Sequence, residues 1–599
     1  MKKTSLIVGA LLIAQTIFGQ ITNVTGTEKS ASEGYARANS ITTTSFTNDY
    51  TAVCGEFTGT FGVQVGPNTY PVASAGAEDI FVQVMFNDDF HNWGRTIGGP
   101  GEDRGVEVLK DDENVYIAGV FSGTVDFDPQ QGTAIRNAVG GTDIFLLCLN
   151  RFGGNFNWVQ TFGGPEDDEV TAMDWYYDEN GFKSNLYLTG SFQGRADFQP
   201  GKLRLEKTSN GGEDCFVSSF LPNGWFQWVK TWGGELDDRP YDISVQRKNG
   251  SNSVELAVCG EFRADVDFDP GPGVFTLTTV SSALRAGFLM KMDDIGNFSW
   301  AGEFDSPQSL GGPNLWASTT TFDDDGNIYV AGVFDGSPTA PTDFDLGPGT
   351  YLLSSIGGVQ NGFLASYNNN GGLLWVNQFT NNGSGCQPSD SDVAGEKIYL
   401  VGQYSYNSDF DPNVSGSGEV SSSTGDASFI VRHDLSGNFE WVKEAIALNG
   451  SEAKSVEAYV LGCQGRVSFC GYYKDDVSID LDPEVSTFWI SDNMGVDGAR
   501  TGYTALWYDD VCEVKPQNSS SDFFIQPNPS ADGSASISVP KEELIRNVEV
   551  INSNGTILNT EASIRGSFGQ INLRNYEPGV YYVIVTTDFG SETLKWVIL

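Results

Sequence analysis

Val266-Asp267-Phe268-Asp269-Pro270-Gly271-Pro272-Gly273 decides the fold, because the stretch recurs. Its copies are Val125-Asp126-Phe127-Asp128-Pro129, Ala196-Asp197-Phe198-Gln199-Pro200-Gly201, Thr342-Asp343-Phe344-Asp345-Leu346-Gly347, Ser408-Asp409-Phe410-Asp411-Pro412 and Ile479-Asp480-Leu481-Asp482-Pro483. Ahead of each copy an apolar segment ends in Gly-x-aromatic: Gly119-Val120-Phe121, Gly190-Ser191-Phe192, Gly260-Glu261-Phe262, Gly332-Val333-Phe334, Gly402-Gln403-Tyr404 and Gly471-Tyr472-Tyr473. A seventh motif, Gly55-Glu56-Phe57, has no Asp-rich follower. Successive motif glycines are 64, 71, 70, 72, 70 and 69 residues apart. A near-constant period of this length marks an array of units that cannot bury a core singly.

Within one period the pattern reads as four short strands. In the unit around Trp158, residues 157–162 form an extended segment ending in Gly163-Gly164, and 170–177 follow after an acidic turn. Residues 185–192 alternate into the Gly-x-Phe motif, and 215–221 close the unit before Pro222-Asn223-Gly224. Matching tryptophans stand at Trp93, Trp158, Trp228, Trp300, Trp375 and Trp441. Four antiparallel strands must pack on their neighbours, and radial repetition does this while protecting the edges. The expected fold is all-β, a seven-bladed β-propeller over residues 20–513. Residues 21–27 line up with the outer-strand segment that the last repeat lacks, so the chain ends are expected to seal the ring. The Trp, Gly-Gly, Asn-x-Tyr (Asn114-Val115-Tyr116, Asn185-Leu186-Tyr187, Asn327-Ile328-Tyr329) and Asp-Phe-Asp-Pro elements resemble the bacterial seven-bladed β-propeller repeat of secreted proteins. That resemblance implies a fold and no general activity.

The two ends of the chain speak of export. Lys2 and Lys3 precede an apolar run from Leu6 to Phe18 and the small Gly19, the pattern of a signal peptide over residues 1–19. No later stretch is long and apolar enough for a transmembrane helix in the mature chain. Residues 514–522 read as a linker. Residues 523–599 hold about seven short alternating segments, expected as a small Ig-like β-sandwich. This tail is similar to the type A sorting domain of the type IX secretion system typical of Bacteroidota. The carrying residues are Pro527-Asn528-Pro529, Asn554-Gly555, Gly579 and Tyr581 in Pro578-Gly579-Val580-Tyr581-Tyr582, and Lys595 in the terminal Lys595-Trp596-Val597-Ile598-Leu599. The resemblance implies passage through the periplasm, the type IX machinery as partner, and a secreted or surface-held product.

Acidic residues outnumber basic ones 78 to 34, a net charge of −44, which argues against a nucleic-acid partner. Seventy-two glycines and 12% aromatic residues suit an all-β chain rich in turns. Cys54, Cys259 and Cys470 share one repeat position with Ala118, Thr189, Ala331 and Val401, so they read as small buried residues rather than a disulfide framework. Cys386, Cys463 and Cys512 are less regular, and a bridge among them is left open.

Three sets of residues could carry chemistry. The pairs Asp126/Asp128, Asp267/Asp269, Asp343/Asp345, Asp409/Asp411 and Asp480/Asp482 either cap their own turns or offer oxygens to Ca²⁺, the one cofactor the sequence suggests. Glycine pairs followed by an acid (Gly98-Gly99 with Asp103, Gly163-Gly164 with Asp168, Gly233-Gly234 with Asp238) either bring backbone to a ligand or make a turn. The periodic tryptophans read as inter-blade packing. The non-periodic Trp175, Tyr176, Trp232, Trp316 and Trp489 are the candidates for a glycan or surface-protein site. Only His91 and His433 are present, in non-equivalent contexts, which disfavours a His-based triad or metal site. The reading is an exported propeller that binds or adheres through loops on one face. The alternatives are a glycan-active hydrolase or lyase using carboxylates in the central funnel, and a structural scaffold for an exported partner.

Overall fold

The computed structural model describes residues 35–510 outside loop stretches such as 44–49, 305–313, 412–417, 481–488 and 491–499, together with most strand residues of 524–598. The chain divides into two compact units, Met1–Asp509 and Asp510–Leu599.

The first unit is built of antiparallel sheets in a propeller arrangement, each running from an innermost to an outermost strand in chain order. Blade one comprises Ala36–Thr42, Tyr50–Phe57, Asp79–Phe86 and Trp93–Ile97. Blade two comprises Arg104–Lys110, Asn114–Asp126, Ile135–Asn150 and Phe156–Phe162. Blade three comprises Asp168–Asp174, Leu186–Asp197, Glu206–Phe220 and Phe226–Trp232. Blades four, five and six begin at Arg239–Arg247, Leu315–Phe322 and Cys386–Ala394 and end at Phe298–Phe304, Leu373–Asn381 and Phe439–Ala447. The seventh repeat gives a three-stranded sheet, Ser451–Leu461, Gln464–Lys474 and Arg500–Asp510. The expectation of seven four-stranded blades is therefore corrected to six; the missing outer strand, expected from residues 21–27, lies outside the described residues.

The repeated motifs divide the labour of this architecture. The motif glycine in the second strand faces the innermost strand so closely that a Cβ on Gly119 would stand 2.0 Å from the Arg104 carbonyl oxygen. The motif aromatic packs edge-on against the phenylalanine of the Asp-Phe-x-Pro turn, as in Phe121–Phe127 at 5.3 Å and Phe262–Phe268 at 5.2 Å. Repeats two to six thus each bury two rings between their own sheet and the next. The periodic tryptophan ties one blade to the following one. The indole N–H groups of Trp93, Trp228, Trp300 and Trp375 donate to the carbonyls of Arg151, Asp294, Asn369 and Leu435 at 2.6, 3.2, 3.1 and 3.1 Å. Those acceptors sit in the turn between the third and fourth strands of the next blade.

The described cysteines, Cys54, Cys148, Cys215, Cys259, Cys386 and Cys470, are buried free thiols, while Cys463 and Cys512 lie outside the described residues. No helix among the described residues is long and apolar enough to cross a membrane. In the second unit the described strands form two four-stranded antiparallel sheets, one from Phe524–Gln526, Ser534–Ser538, Phe568–Asn572 and Glu561–Arg565, the other from Ile557–Leu558, Ile545–Asn552, Gly579–Thr587 and Ser591–Ile598. Ile537 of one sheet and Val550, Val583 and Val585 of the other are buried.

Candidate functional site

The innermost strands share an irregularity that the sequence did not advertise. In each, one residue bulges out of register opposite the motif glycine: Asn39, Val106, Thr171, Tyr241, Ser318, Ser389 and Lys454. A bulge re-aims the residues that follow it. Those residues are Ser40, Glu107, Ala172, Asp242, Thr319, Asp390 and Ser455, and two positions on stand Asp174, Asp392 and Glu457. Six carboxyls are thereby collected on the strands that line the axis. They feel one another across the ring: Glu107 of blade two is acted on by Asp242 and Asp390 of blades four and six, and Asp174 of blade three by Asp392 of blade six.

These carboxyls are occupied. The N–H of Val245 donates to Asp174 (2.6 Å), that of Thr320 to Asp242 (2.7 Å), and those of Val456 and Ala458 to Asp390 (2.9 Å) and Asp392 (2.7 Å). Glu457 accepts from the N–H of Thr43 (2.6 Å), and Glu107 from the Ser40 hydroxyl. Every one of these bonds crosses from one sheet to an adjacent one. The bonds from Glu457 to Thr43 and from Ile41 N–H to the Ser455 hydroxyl (3.4 Å) join the last sheet to blade one, so the array closes. Burial, more than any neighbour, pushes Asp392 up to about 8 and raises Glu107, Asp174, Asp242 and Asp390 above the usual carboxylate range. Lys110 lies over the Tyr50 ring and donates to its carbonyl; burial lowers it, and the attraction of Glu457 opposes that shift.

The Asp-x-Asp turns lie elsewhere, at the hairpins joining second and third strands. Asp267 accepts from the N–H groups of Asp269 (3.1 Å) and Phe275 (2.8 Å), closing its hairpin, and Asp269 accepts from Gly271 (2.8 Å). Asp126 and Asp343 repeat this with Asp128 and Ala134, and with Asp345 and Tyr351. Asp128 and Asp345 accept from Gln130 and Gly347, and Asp409 from Asp411. Asp480 ends a short strand pair with Trp489, and Asp482 lies outside the described residues. No cluster of three or more potential metal-ligating side chains is found among the described residues.

The aromatic candidates do not converge. Trp175 is buried beside Tyr116 and Tyr177, Tyr176 packs on Phe182, and Trp232 is buried edge-on to Phe288. Trp316 is half-buried in the innermost strand of blade five, and Trp489 belongs to a short strand. The exposed apolar side chains are others. Tyr70, Ile135, Leu203, Val274, Tyr351 and Tyr406 stand on the second-to-third-strand hairpins of blades one to six, and Trp225, 69% exposed, on the opposite end of blade three. Comparing hairpin tips between repeats, rather than searching for unrepeated tryptophans, would have found this set. His433 is buried between Phe379 and Phe439, and burial lowers its imidazole to about 4; His91 lies outside the described residues.

Residues 525–599 match the secretion system C-terminal sorting domain family. The tail marks the chain for export to the cell surface or release, and implies contact with the secretion machinery. Of its motif residues, Tyr581 is buried in the strand Gly579–Thr587 and Lys595 lies in Ser591–Ile598, while Pro527, Asn528, Pro529 and Gly555 fall outside the described residues. No curated protein matches the chain. Among solved structures the chain is similar to a quinohemoprotein alcohol dehydrogenase from Comamonas testosteroni (11% identity, 86% of this chain and 79% of that one, TM-score 0.35). It is also similar to the polysaccharide lyase Uly1 (8% identity, 82% and 93%, TM-score 0.33) and to the phage phi92 endosialidase (10% identity, 97% and 87%, TM-score 0.32). Likenesses this loose assign no activity.

Proposed function

We propose that this protein is an exported binding or adhesion module, a propeller of six four-stranded blades and the three-stranded sheet of the seventh repeat. It engages a glycan or protein on the outer surface through the hairpins between second and third strands. The tail's two sheets would pack as the Ig-like sandwich of a type IX sorting domain. The observation that carries the binding reading is the occupancy of the central carboxyls. A funnel hydrolase needs two carboxyls facing substrate, and in this ring each of the six takes a hydrogen bond from a neighbouring sheet. Exposed apolar side chains recur at the hairpins in blades one to six, and at the opposite turns, as Phe152, Trp225 and Ile295, in blades two to four.

The test is a glycan array and polysaccharide pull-down with the full-length secreted protein, scoring retention and released product together. Retention without product, weakened in a Tyr70→Ala/Tyr351→Ala/Tyr406→Ala variant, supports the reading. Released oligosaccharide would move the hydrolase or lyase alternative ahead of it. Capture of neither class, with the triple variant indistinguishable from the parent on whole cells, would favour the scaffold.

A further inference from the structure

Three junctions between blades bury a pair of aspartates. The first member lies on the third strand of one blade, opposite the motif aromatic: Asp79 pairs with Phe57, Asp143 with Phe121, Asp214 with Phe192. The second stands two residues ahead of the partner of the next blade's motif glycine: Asp103, Asp168 and Asp238. All six are at least 96% buried.

The acids come and go together. At the next three junctions the same two positions hold Ala286 and Leu315, Asn361 and Cys386, and Ala427 and Ser451. Six junctions thus carry acid at both positions or at neither. A turn cap needed for itself would have no reason to vanish with its neighbour.

Each pair also has an oxygen with nothing to bond. Oδ2 of Asp79, Asp143 and Asp214 accepts from the N–H of Ala75, Val139 and Asn210 at 2.8, 3.0 and 3.0 Å, whereas Oδ1 of all three is buried with no donor. The partner acids are held by the second glycine of the Gly-Gly pair: Asp103 by Gly99 N–H (2.6 Å), Asp168 by Gly164 (2.5 Å), Asp238 by Gly234 (2.7 Å). A Cβ on Gly163 would stand 2.7 Å from both Asp143 Oδ1 and Asp168 Oδ2, so the two carboxyls meet at the same glycine.

Ionised carboxylates only accept hydrogen bonds. Two of them buried together repel, because a low-dielectric interior screens like charges poorly. We propose that each pair holds a single proton between its carboxyls, one acid donating to the other's bare Oδ1, so that three consecutive junctions are latched by acid–carboxylate hydrogen bonds that open as pH rises.

The surrounding charges favour that proton. Burial first, then the paired acid and the neighbouring Asp167, push Asp168 up to about 8. Burial, Asp214 and Asp237 push Asp238 to about 7, and burial, Asp79 and Glu78 push Asp103 to about 6. Asp143 and Asp214 rise to about 6 by burial, and the Cys215 thiol beside Asp214 and Asp238 is itself pushed up. The nearby guanidiniums of Arg104 and Arg239 pair with Glu169 and Glu213. With folded values above the unfolded ones, the latch contributes fully below the ordinary carboxylate range and is lost as pH climbs through about 6 to 8.

The experiment compares urea midpoints of the full-length protein between about pH 5 and about pH 9, in the parent and in Asp214→Ala/Asp238→Leu, which transplants the Ala286/Leu315 junction. The parent's unfolding constant should rise by up to roughly tenfold per pH unit for each latch proton lost, and the variant should lose one latch's share of that rise. An identical pH response in both proteins overturns the proposal. So does a parent at about pH 9 that Ca²⁺ or Mg²⁺ restores to its acid-side midpoint while the variant ignores the ion, since a cation would then sit between the carboxyls in place of the proton. Should the double variant fail to fold, Asp214→Asn puts an amide donor where Oδ1 was bare. It should unfold less readily than the parent at high pH and lose one protonated-carboxyl carbonyl band from the infrared spectrum at neutral pH; an unchanged spectrum overturns the proposal.

Discussion

The N–H of Val245, on the innermost strand of blade four, lies 2.6 Å from a carboxyl oxygen of Asp174 on the innermost strand of blade three, whose other oxygen takes the N–H of Trp175 at 2.7 Å. One side chain therefore ties two blades at the axis. Asp174→Ala leaves the Val245 N–H bare and should cost about 1–3 kcal/mol by urea denaturation at mildly acidic pH. The cost should shrink toward high pH. Burial holds the Asp174 carboxyl well above its ordinary value, so the parent loses stability as that group ionises and the variant has nothing to lose. A penalty that grows with pH would show that Asp174 is a stably ionised group instead.

The periodic tryptophan makes the corresponding tie on the outside. Trp93→Phe removes the indole donor to the Arg151 carbonyl and part of a buried ring. The expected loss is about 1–3 kcal/mol. Trp225→Phe, an exposed ring in a turn, should change the same midpoint by no more than about 0.5 kcal/mol. Equal effects at the two sites would mean that burial and the hydrogen bond at Trp93 contribute nothing.

How much of this was legible follows from what repetition can show. Residues needed in every blade, such as Trp93, Trp228 and the motif glycines, stood out by period alone, and the inter-blade role of the tryptophans could be read from spacing. The axial carboxyls did not stand out. Glu107, Asp242 and Asp390 share one structural position with Ser40, Ala172, Thr319 and Ser455, so no residue type recurs there. The shared position is created by a bulge, which sequence alternation does not record. The Asp143 and Asp168 pair was hidden for another reason: its members are far apart in their motifs, and an acid beside Gly-Gly reads as a turn. Trp175 and Trp232, set apart in the sequence because they do not repeat, are buried between blades, and lack of repetition alone does not tell a packing residue from a surface one.

The second strand of a blade kinks at one left-handed residue before its hairpin extends. Gly59, Gly123 and Gly194 hold φ of 71°, 66° and 67°, but Ala264 and Tyr406 hold the same place at 61°. A Cβ at Gly123 would meet nothing within 4 Å. Gly123→Ala therefore isolates the backbone term and should cost about 1 kcal/mol, while Ala264→Gly should recover a similar amount. Thermal midpoints that move in the same direction for both substitutions would contradict a shared left-handed kink.

The Asp-x-Asp hairpins distinguish a cap from an ion ligand by what asparagine can do. A single oxygen of Asp267 accepts from both Asp269 and Phe275, and an amide oxygen can take those two N–H groups unchanged. Asp267→Asn should cost well under 1 kcal/mol and Asp267→Ala about 1–2 kcal/mol, with midpoints equal in excess EDTA and in millimolar-scale Ca²⁺. Ca²⁺ bound through these carboxylates would reverse the pattern: Asn would weaken the charge on the ion, and EDTA would lower the parent's midpoint toward the variant's.

Export rests on the tail, and the two compact units allow the claim to be tested without disturbing the propeller. Residues 525–599 match a sorting family, and the propeller's closing contacts, from Thr43 to Glu457 and from Ile41 to Ser455, involve no tail residue. Deleting Phe523–Leu599 should leave a folded propeller, with a urea midpoint in cell extracts close to that of the full chain, that accumulates inside the outer membrane. Moving the same residues onto an unrelated signal-bearing cargo should carry that cargo out. Undiminished export of the truncated chain would place the sorting information in the propeller instead. A truncated chain that neither folds nor leaves the cell would show that the propeller needs the tail for folding, and the transplanted tail would then decide its role in sorting.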